Sequence, residues 1–263
     1  MNFSLKCKIC NKSEIKLIKK FKKKNKGENL FGLENKKNYS RSLYACECGH
    51  YYNIHKYSKF LEKVYKKNYS NYSHKNIEKK FEKIRKNKKK SSNLKRVNFL
   101  EKKIKKNSQV LDVGSGFGIF PFEMVKCGFK MDCIESDRNM INFLKSKFLN
   151  LVSNDIKKIK KIKKKYDLIT FNKVLEHFNL SEIKKILRLY KSLLKKDGKI
   201  YIEVPDSAAC KDGYNRQEFF LEHYNIFSLK SLNMFLKKLK FKVVYLNSIY
   251  EINKKYTIRA IIK

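Results

Sequence analysis

No run of about 18 apolar residues occurs in this 263-residue sequence, so no transmembrane helix is predicted. The opening Met-Asn-Phe-Ser-Leu-Lys-Cys lacks the apolar stretch of a secretory leader, and a cytoplasmic location is the expectation. No internal repeat is visible. Acidic residues are scarce: 24 Asp and Glu stand against 64 Lys and Arg, for a net charge of +40. Such an imbalance raises the question of a polyanionic partner. The basic residues are mostly lysine, however, in runs such as Lys19–Lys24, Lys86–Lys90, Lys157–Lys165 and Lys237–Lys240, and are not interleaved with aromatics on one element. Together with abundant Asn and Ile, this reads as the bias of an AT-rich genome and as solvated faces. Nucleic acid is not the favoured partner.

What is present is enough for a core. Hydrophobic residues make up 42% and aromatics 13%. The length suits one α/β domain of about 200 residues plus a small module. Four of the seven cysteines fall in the first 50 residues, as Cys7-Lys-Ile-Cys10 and Cys46-Glu-Cys48-Gly49-His50. In an intracellular chain, clustered pairs point to a metal rather than to disulfides. Cys127, Cys133 and Cys210 are scattered and read as ordinary buried thiols.

Residues 1–56 form a candidate zinc-binding module of short strands and turns, too poor in apolar residues to build a core without a metal. Residues 57–106 read as a helical linker and the first helices of the core, with Phe60, Leu61, Val64 and Tyr65 at helical spacing, then a loop with Tyr69 and Tyr72, then Phe81, Ile84, Leu94, Val97, Leu100 and Ile104. The Lys86–Ser92 stretch reads as an exposed break. From 107 to 263 strand and helix patterns alternate. Strands are expected at Gln109–Val113, Lys130–Ile134, Asn150–Val152, Tyr166–Phe171 and Gly198–Val204, and helices near 118–127, 138–147 and 182–195. Such alternation implies a mostly parallel, doubly wound sheet. After Pro205 a long loop is expected, then a helix over Leu229–Lys238. Strands Lys242–Leu246 and Tyr256–Ile262 close the chain as an antiparallel pair.

Glycine is scarce, at nine residues, yet three fall at alternate positions in Val110-Leu-Asp-Val-Gly-Ser-Gly-Phe-Gly-Ile-Phe120. Strand, glycine turn and helix in that order hold a nucleoside-containing cofactor at the carboxyl end of a strand. Ile119 stands where a dinucleotide fingerprint would want its third glycine. The second strand ends in Ile134-Glu135-Ser136-Asp137, an acid placed to take two ribose hydroxyls. The third ends in Asn154-Asp155-Ile156, suited to an exocyclic adenine amine. The fourth passes through Asn172 into Lys173-Val-Leu-Glu176-His177.

The fifth strand ends in Gly198-Lys-Ile-Tyr-Ile-Glu-Val-Pro-Asp206, and with these five motifs in this order residues 75–263 resemble class I S-adenosylmethionine-dependent methyltransferases. The resemblance implies that Asp112, Gly114, Gly116 and Gly118 form the turn beside the methionine portion. It also implies that Glu135 holds the ribose, Asp155 faces the adenine and Asn172 lies near the sulfonium. Displacement at a sulfonium methyl needs alignment of the nucleophile above all. A base is needed only where the acceptor carries a proton of high pKa. Glu176-His177 and Glu222-His223 are the pairs that could supply one, and Glu222, His223 and His177 are the candidate catalytic residues.

Cys7-x-x-Cys10 resembles one knuckle of a zinc ribbon, and Cys7, Cys10, Cys46 and Cys48 are the expected Zn2+ ligands. The second pair is one residue tighter than usual, which leaves His50 as an alternative ligand. A zinc module ahead of this transferase type resembles the sugar C-methyltransferases that act on nucleotide-linked deoxyketosugars. Their Phe-Phe-Leu-Glu-His-like segment maps onto Phe219–His223 here, with Phe220 where some members carry tyrosine. The expectation is methyl transfer to a small-molecule acceptor such as a sugar or nucleotide sugar. One alternative is an RNA methyltransferase, against which stands Asn172-Lys-Val-Leu in place of an N-P-P-Y or D-P-P-Y motif. Another is a non-catalytic zinc-binding adaptor that keeps the fold.

Overall fold

The computed structural model describes residues 6–12, 14–33, 39–67, 69–70, 76–87, 91–147, 149–159 and 162–263. Tyr72 and the middle of the Lys86–Ser92 stretch lie outside them. The described residues cluster into two compact units. One comprises residues 1–61, 173–184 and 202–263; the other comprises 62–172 and 185–201.

In the second unit, β4 (Gln109–Val113) pairs in parallel with β5 (Lys130–Ile134) and with β7 (Tyr166–Asn172), and β5 pairs in parallel with β6 (Asn150–Ser153). Val110, Leu111 and Val113 are all buried, the near-continuous apolar run of a parallel strand covered on both faces. Between the strands run α4 (Ile119–Lys126) and α5 (Arg138–Ser146). Asp137 caps α5 by accepting from the amides of Asn139 and Met140, so an acid meets the positive end of the helix. Before β4 come α1 (Ser58–Lys67), α2 (Ile77–Lys86) and α3 (Ser92–Glu101), the last two capped by Asn76 and Ser91. Phe81 of α2 packs with Ile119 and Phe143 in a common apolar cluster, which seats α2 on α4 and α5.

The seven-stranded sheet has the order β10-β11-β8-β7-β4-β5-β6, with β8 at Leu194–Pro205, β10 at Val243–Tyr250 and β11 at Tyr256–Ile262. β10 and β11 are antiparallel, as the short connection requires. The sheet is therefore the mostly parallel, doubly wound one with a terminal hairpin that the alternation implied. Chain direction reverses about β4: it moves out through β5 and β6, then returns to β7 on the other side. That reversal point is where open α/β sheets bind ligands.

Several expected boundaries move: β8 starts four residues before Gly198, and β10 runs on past Leu246 to Tyr250. The helix expected over 182–195 is α6, Leu180–Lys191, and Leu194 already begins β8. Leucines 193 and 194 fit either pattern, and sheet pairing decides. The loop after Pro205 is also less open than expected. It forms 3-10 turns at Ser207–Asp212 and Gln217–Phe219, then a two-residue strand β9, Asn225–Ile226. Helix α7 follows at Leu229–Lys238, with a reciprocal cap between Ser228 and Ser231.

In the first unit β9 is the fourth member of a second sheet, β1-β2-β3-β9, with β1 at Lys16–Phe21, β2 at Arg41–Ala45 and β3 at Tyr51–His55. Tyr51 pairs with Ile226 and Tyr52 with Asn225. The cysteine-framed strands thus share a sheet with residues more than 170 positions later. Nothing local in the sequence announces that pairing.

Candidate functional site

The glycine turn closes β4. Gly114, Gly116 and Gly118 have φ of 75°, 52° and 69°, a region that only glycine enters without strain. The amides of Gly114 and Ser115 both donate to the carbonyl of Ile134, at 2.8 and 3.1 Å, which ties the turn to the end of β5. A Cβ on Gly116 would meet nothing within 4 Å, so its backbone faces open space. A Cβ on Gly118 would collide with Leu144 Cδ2. That glycine therefore also serves the packing of α4 on α5. Gly118 is the N-cap of α4 and offers no side-chain cap, so the first amides of the helix are not satisfied from that position.

Glu135 leaves the end of β5 and turns back onto the glycine turn. Its Oε2 accepts from Gly116 N at 2.7 Å; its Oε1 accepts from the amides of Ser136 and Asp137 at 2.7 and 2.9 Å. Burial raises its pKa against the pull of these donors. A carboxylate has about four lone-pair positions, so acceptor capacity remains for a hydroxyl pair. Asp155 follows β6, half-buried, with Oδ1 accepting from Lys157 N at 2.8 Å. Tyr190 of α6 donates to the carbonyl of Ile156 at 3.0 Å and steadies that turn.

Asp112 faces Thr170 across the β4–β7 register. Its Oδ1 accepts from Thr170 Oγ1 at 2.6 Å and from Asn172 Nδ2 at 2.8 Å. Burial raises the Asp112 pKa, and Thr170 heads the donors that oppose it. The second bond fixes which way the Asn172 amide points, because a carboxylate accepts only. Asn172 Oδ1 is buried and has no hydrogen-bond partner among the described residues. A buried acceptor in that position can take a hydrogen bond from a polar ligand. This acceptor, the open face of Gly116 and the inward Glu135 carboxylate fit a ligand with an ammonium, a ribose and an anionic end, as S-adenosylmethionine has.

Two residues at this site were not singled out in the sequence. Thr170 is visible only through register. Ser70 donates to both oxygens of Asp137, from Oγ and N at 2.9 Å each, and pins the segment ahead of α2 beside the cap of α5.

The candidate acid–base residues gather in the first unit. The rings of His177 and His223 are 5.2 Å apart by centroid. One ligating atom each from Glu176, His177 and His223 lies within 4.8 Å of the others. His177 Nδ1 is 3.0 Å from the carbonyl of Glu222, and His223 Nδ1 is 3.0 Å from the carbonyl of Glu218. A carbonyl cannot donate, so each Nδ1 carries the proton and each neutral ring has its lone pair on Nε2. Glu222 Oε1 lies 3.7 Å from His223 Nε2. Burial, and then His177, hold the His223 pKa well below the ordinary imidazole value. Burial raises that of Glu176 from 4.5 to about 7, and its Oε2 is buried without a hydrogen-bond partner among the described residues. Lys173, with φ of 59°, turns the chain out of β7 toward this cluster and pairs with Glu251.

Also in the first unit, Cys7 Sγ is 3.7 Å from Cys48 Sγ, and Cys10 Sγ is 3.5 Å from Cys46 Sγ. All four sulfurs lie within 4.8 Å of one another, and none forms a disulfide. Four sulfurs about 2.3 Å from a tetrahedral centre would be about 3.8 Å apart. The tight second pair can still close: Cys48 N points at Cys46 Sγ at 3.5 Å, and Gly49 N donates to the carbonyl of Cys46 at 2.8 Å. His50 lies outside this cluster, fully buried, with Nε2 3.2 Å from Asn225 Oδ1.

Residues 81–246 match the model of a family described as "Methyltransferase domain". The chain belongs to this methyltransferase family. The class I S-adenosylmethionine-dependent enzymes, inferred above from the motif order, are the type it represents. Solved structures share the fold. The glycopeptide N-methyltransferase MtfA has a TM-score of 0.53 at 10% identity, over 65% of this chain and 89% of that one. The magnesium protoporphyrin IX methyltransferase of Synechocystis, solved with bound SAH, has a TM-score of 0.52 at 14% identity, over 65% and 81%. A protein from Pyrococcus horikoshii has a TM-score of 0.53 at 19% identity, over 69% and 98%. No curated protein sequence matches the methyltransferase. Among its described residues, no helix is long and apolar enough to cross a membrane.

Proposed function

We propose that this methyltransferase carries the methyl group of S-adenosylmethionine to a small-molecule acceptor, a sugar or nucleotide sugar. Bound S-adenosylmethionine supplies an electrophilic methyl on a sulfonium, a good neutral leaving group. On this reading Glu135 takes the ribose hydroxyls, Asp155 the adenine amine, and Gly114, Gly116 and Gly118 the methionine end beside Asp112. The orphaned Oδ1 of Asn172 accepts from the ammonium group.

His223 is the residue we assign to the acceptor proton. Its depressed pKa keeps it neutral and able to accept at neutral pH. Glu222 Oε1, at 3.7 Å, stabilises the imidazolium as it forms. His177 holds the carbonyl of Glu222 and so fixes the loop between them. The observation that carries the assignment is the pair of rings clamped through Nδ1 with Nε2 as the lone-pair atom.

Zn2+ at Cys7, Cys10, Cys46 and Cys48 belongs to the same proposal, supported by the sulfur separations. So does a division into a zinc module at 1–56, linker and first core helices at 57–106 and a transferase domain at 107–263.

The test is a methyl-transfer assay with a panel of nucleotide sugars, alongside bulk RNA. Transfer to a sugar nucleotide, lost in His223→Asn with binding of S-adenosylhomocysteine retained, is expected. Transfer to RNA alone, or full activity in His223→Asn, would overturn the assignment.

A further inference from the structure

The backbone of residues 218–224 is held in an unusual way. The segment is a loop, yet each of its seven carbonyls accepts a hydrogen bond. Glu218 O accepts from His223 Nδ1, and Glu222 O accepts from His177 Nδ1. The other five are held by β3. The two hydrogens of Asn53 Nδ2 are shared among Phe219 O, Phe220 O and His223 O, at 3.1, 3.0 and 2.8 Å from the nitrogen. Asn53 N donates to Tyr224 O at 3.1 Å. His55 Nε2 lies 3.0 Å from Leu221 O, and His55 Nδ1 accepts from Tyr57 N, so Nε2 is the nitrogen that donates.

The Asn53 amide has no freedom to turn around. Arg41 Nη1 donates to its Oδ1 at 3.0 Å, and a guanidinium cannot accept. The NH2 must therefore face the loop. Arg41 is itself fixed: it is 1% exposed, lies 3.6 Å from the Phe21 ring centre, and has Nη2 3.2 Å from Glu28 Oε1. That same Glu28 oxygen accepts from Leu221 N at 2.6 Å. A network of buried Glu28, Arg41 and Asn53 with half-buried His55, from β2, β3 and the β1–β2 connection, thus holds the loop that carries Glu222 and His223.

We propose that Asn53 is a positioning residue for methyl transfer: it sets where the His223 ring and the Glu222 carboxylate stand, without touching acceptor or cofactor. This rests on the reading that Glu222 and His223 meet the acceptor. Asn53 fixes the carbonyl of His223, and through Phe219 and Phe220 the turn whose Glu218 carbonyl orients the ring. The cysteine-framed sheet then acts as the template for the acid–base loop.

The test follows the His223 imidazole by NMR. Its resonance, assigned with His223→Asn, is titrated in the wild type and in Asn53→Ala, each with S-adenosylhomocysteine bound. The groups around it are Glu176, His177, Glu222, Lys173 and Lys255, and Glu176→Gln in both proteins removes the one carboxyl that titrates in the same range. Loss of the clamp should admit water and move the His223 midpoint up toward the ordinary imidazole value. Calorimetric affinity for S-adenosylhomocysteine should stay within about twofold, since among the described residues Asn53 shares no hydrogen-bond partner with Asp112, Glu135 or Asn172. An unmoved His223 midpoint in folded Asn53→Ala overturns the proposal. Should that variant fail to fold, hydrogen exchange on the wild type decides. The Leu221 and Tyr224 amides should open together with those of β2 and β3, and loop amides exchanging orders of magnitude faster would sink the idea. If His223→Asn instead keeps full methyl transfer, the acceptor reading fails while the positioning result stands.

Discussion

Gly118 carries two constraints at one atom. Its φ of 69° disfavours any L side chain, and a Cβ there would press on Leu144 and Leu149. Gly118→Ala should cost about 2–4 kcal/mol, from left-handed strain and overpacking together. A denaturation midpoint equal to wild type would contradict this. Gly116 differs, since nothing crowds it. Gly116→Arg should fold and lose S-adenosylhomocysteine binding in calorimetry, because the side chain fills the ligand's space. Asp112→Ala should also lose it, by freeing Asn172 and Thr170 from their shared acceptor. Retained affinity in both variants would contradict the site. Glu176 gives a pH signature. Its unfolded-state pKa is 4.5 and its folded value about 7. The folded state therefore holds a proton that the unfolded chain releases first. The contribution is fully present below 4.5, fades as pH rises, and is gone above about 7, a loss of at most about 3 kcal/mol. Glu176→Gln keeps a neutral group throughout. Its stability relative to wild type should rise between about pH 5 and about pH 8 in urea titrations. A flat difference would mean that Glu176 is ionised in the fold.

At the scale of elements, strands β4, β5 and β11 and helix α7 stand where the residue pattern put them, because each is set by its own sequence. A buried parallel strand needs a run such as Val110–Val113; α7 needs its Ser228 cap and a Leu232, Phe235, Leu236 face. The glycine turn and Glu135 were legible for the same reason: chemistry and backbone demand coincide within a few residues. β9 was not legible. Two residues, Asn225 and Ile226, have no periodicity to read, and only the edge of β3 makes them a strand. The role of Asn53 was hidden likewise, since its partners lie about 170 positions away. One consequence concerns the metal. Tyr52 Oη lies 3.1 Å from Cys7 Sγ, one residue from Asn53, and His50 Nε2 reaches Asn225. The purified protein should contain one zinc per chain by elemental analysis. Stripping it with a chelator should broaden or shift the His223 resonance while leaving S-adenosylhomocysteine affinity in place. A chelated protein with an unchanged His223 signal would separate the cluster from the loop.

At the scale of the whole molecule the charge needs a physical account. Ten of the 24 acids are buried among the described residues: Glu28, Asp112, Glu123, Asp132, Asp137, Glu176, Glu203, Asp206, Glu218 and Glu251. Arg41, Arg96 and Arg259 are the buried bases, and no described lysine is buried. Acids thus go to caps, ion pairs and the strand end before the glycine turn, and the surface is more basic than composition alone implies. A surface of this kind attracts polyanions without recognising them, through counterion release. RNA should therefore be retained on the protein at low ionic strength. The logarithm of the binding constant should fall linearly with the logarithm of salt, so that between about 50 and about 200 mM the affinity drops by orders of magnitude. If the acceptor is a small molecule, methyl transfer should not follow RNA binding along that line. Activity on a neutral acceptor should vary little with salt, because Asp112 and Glu176 are buried and the other ionisable groups of the site half-buried, and such groups are screened less than surface lysines. Activity that disappears in parallel with RNA retention, with label recovered in the RNA, would instead make the lysine-rich surface the acceptor-binding face.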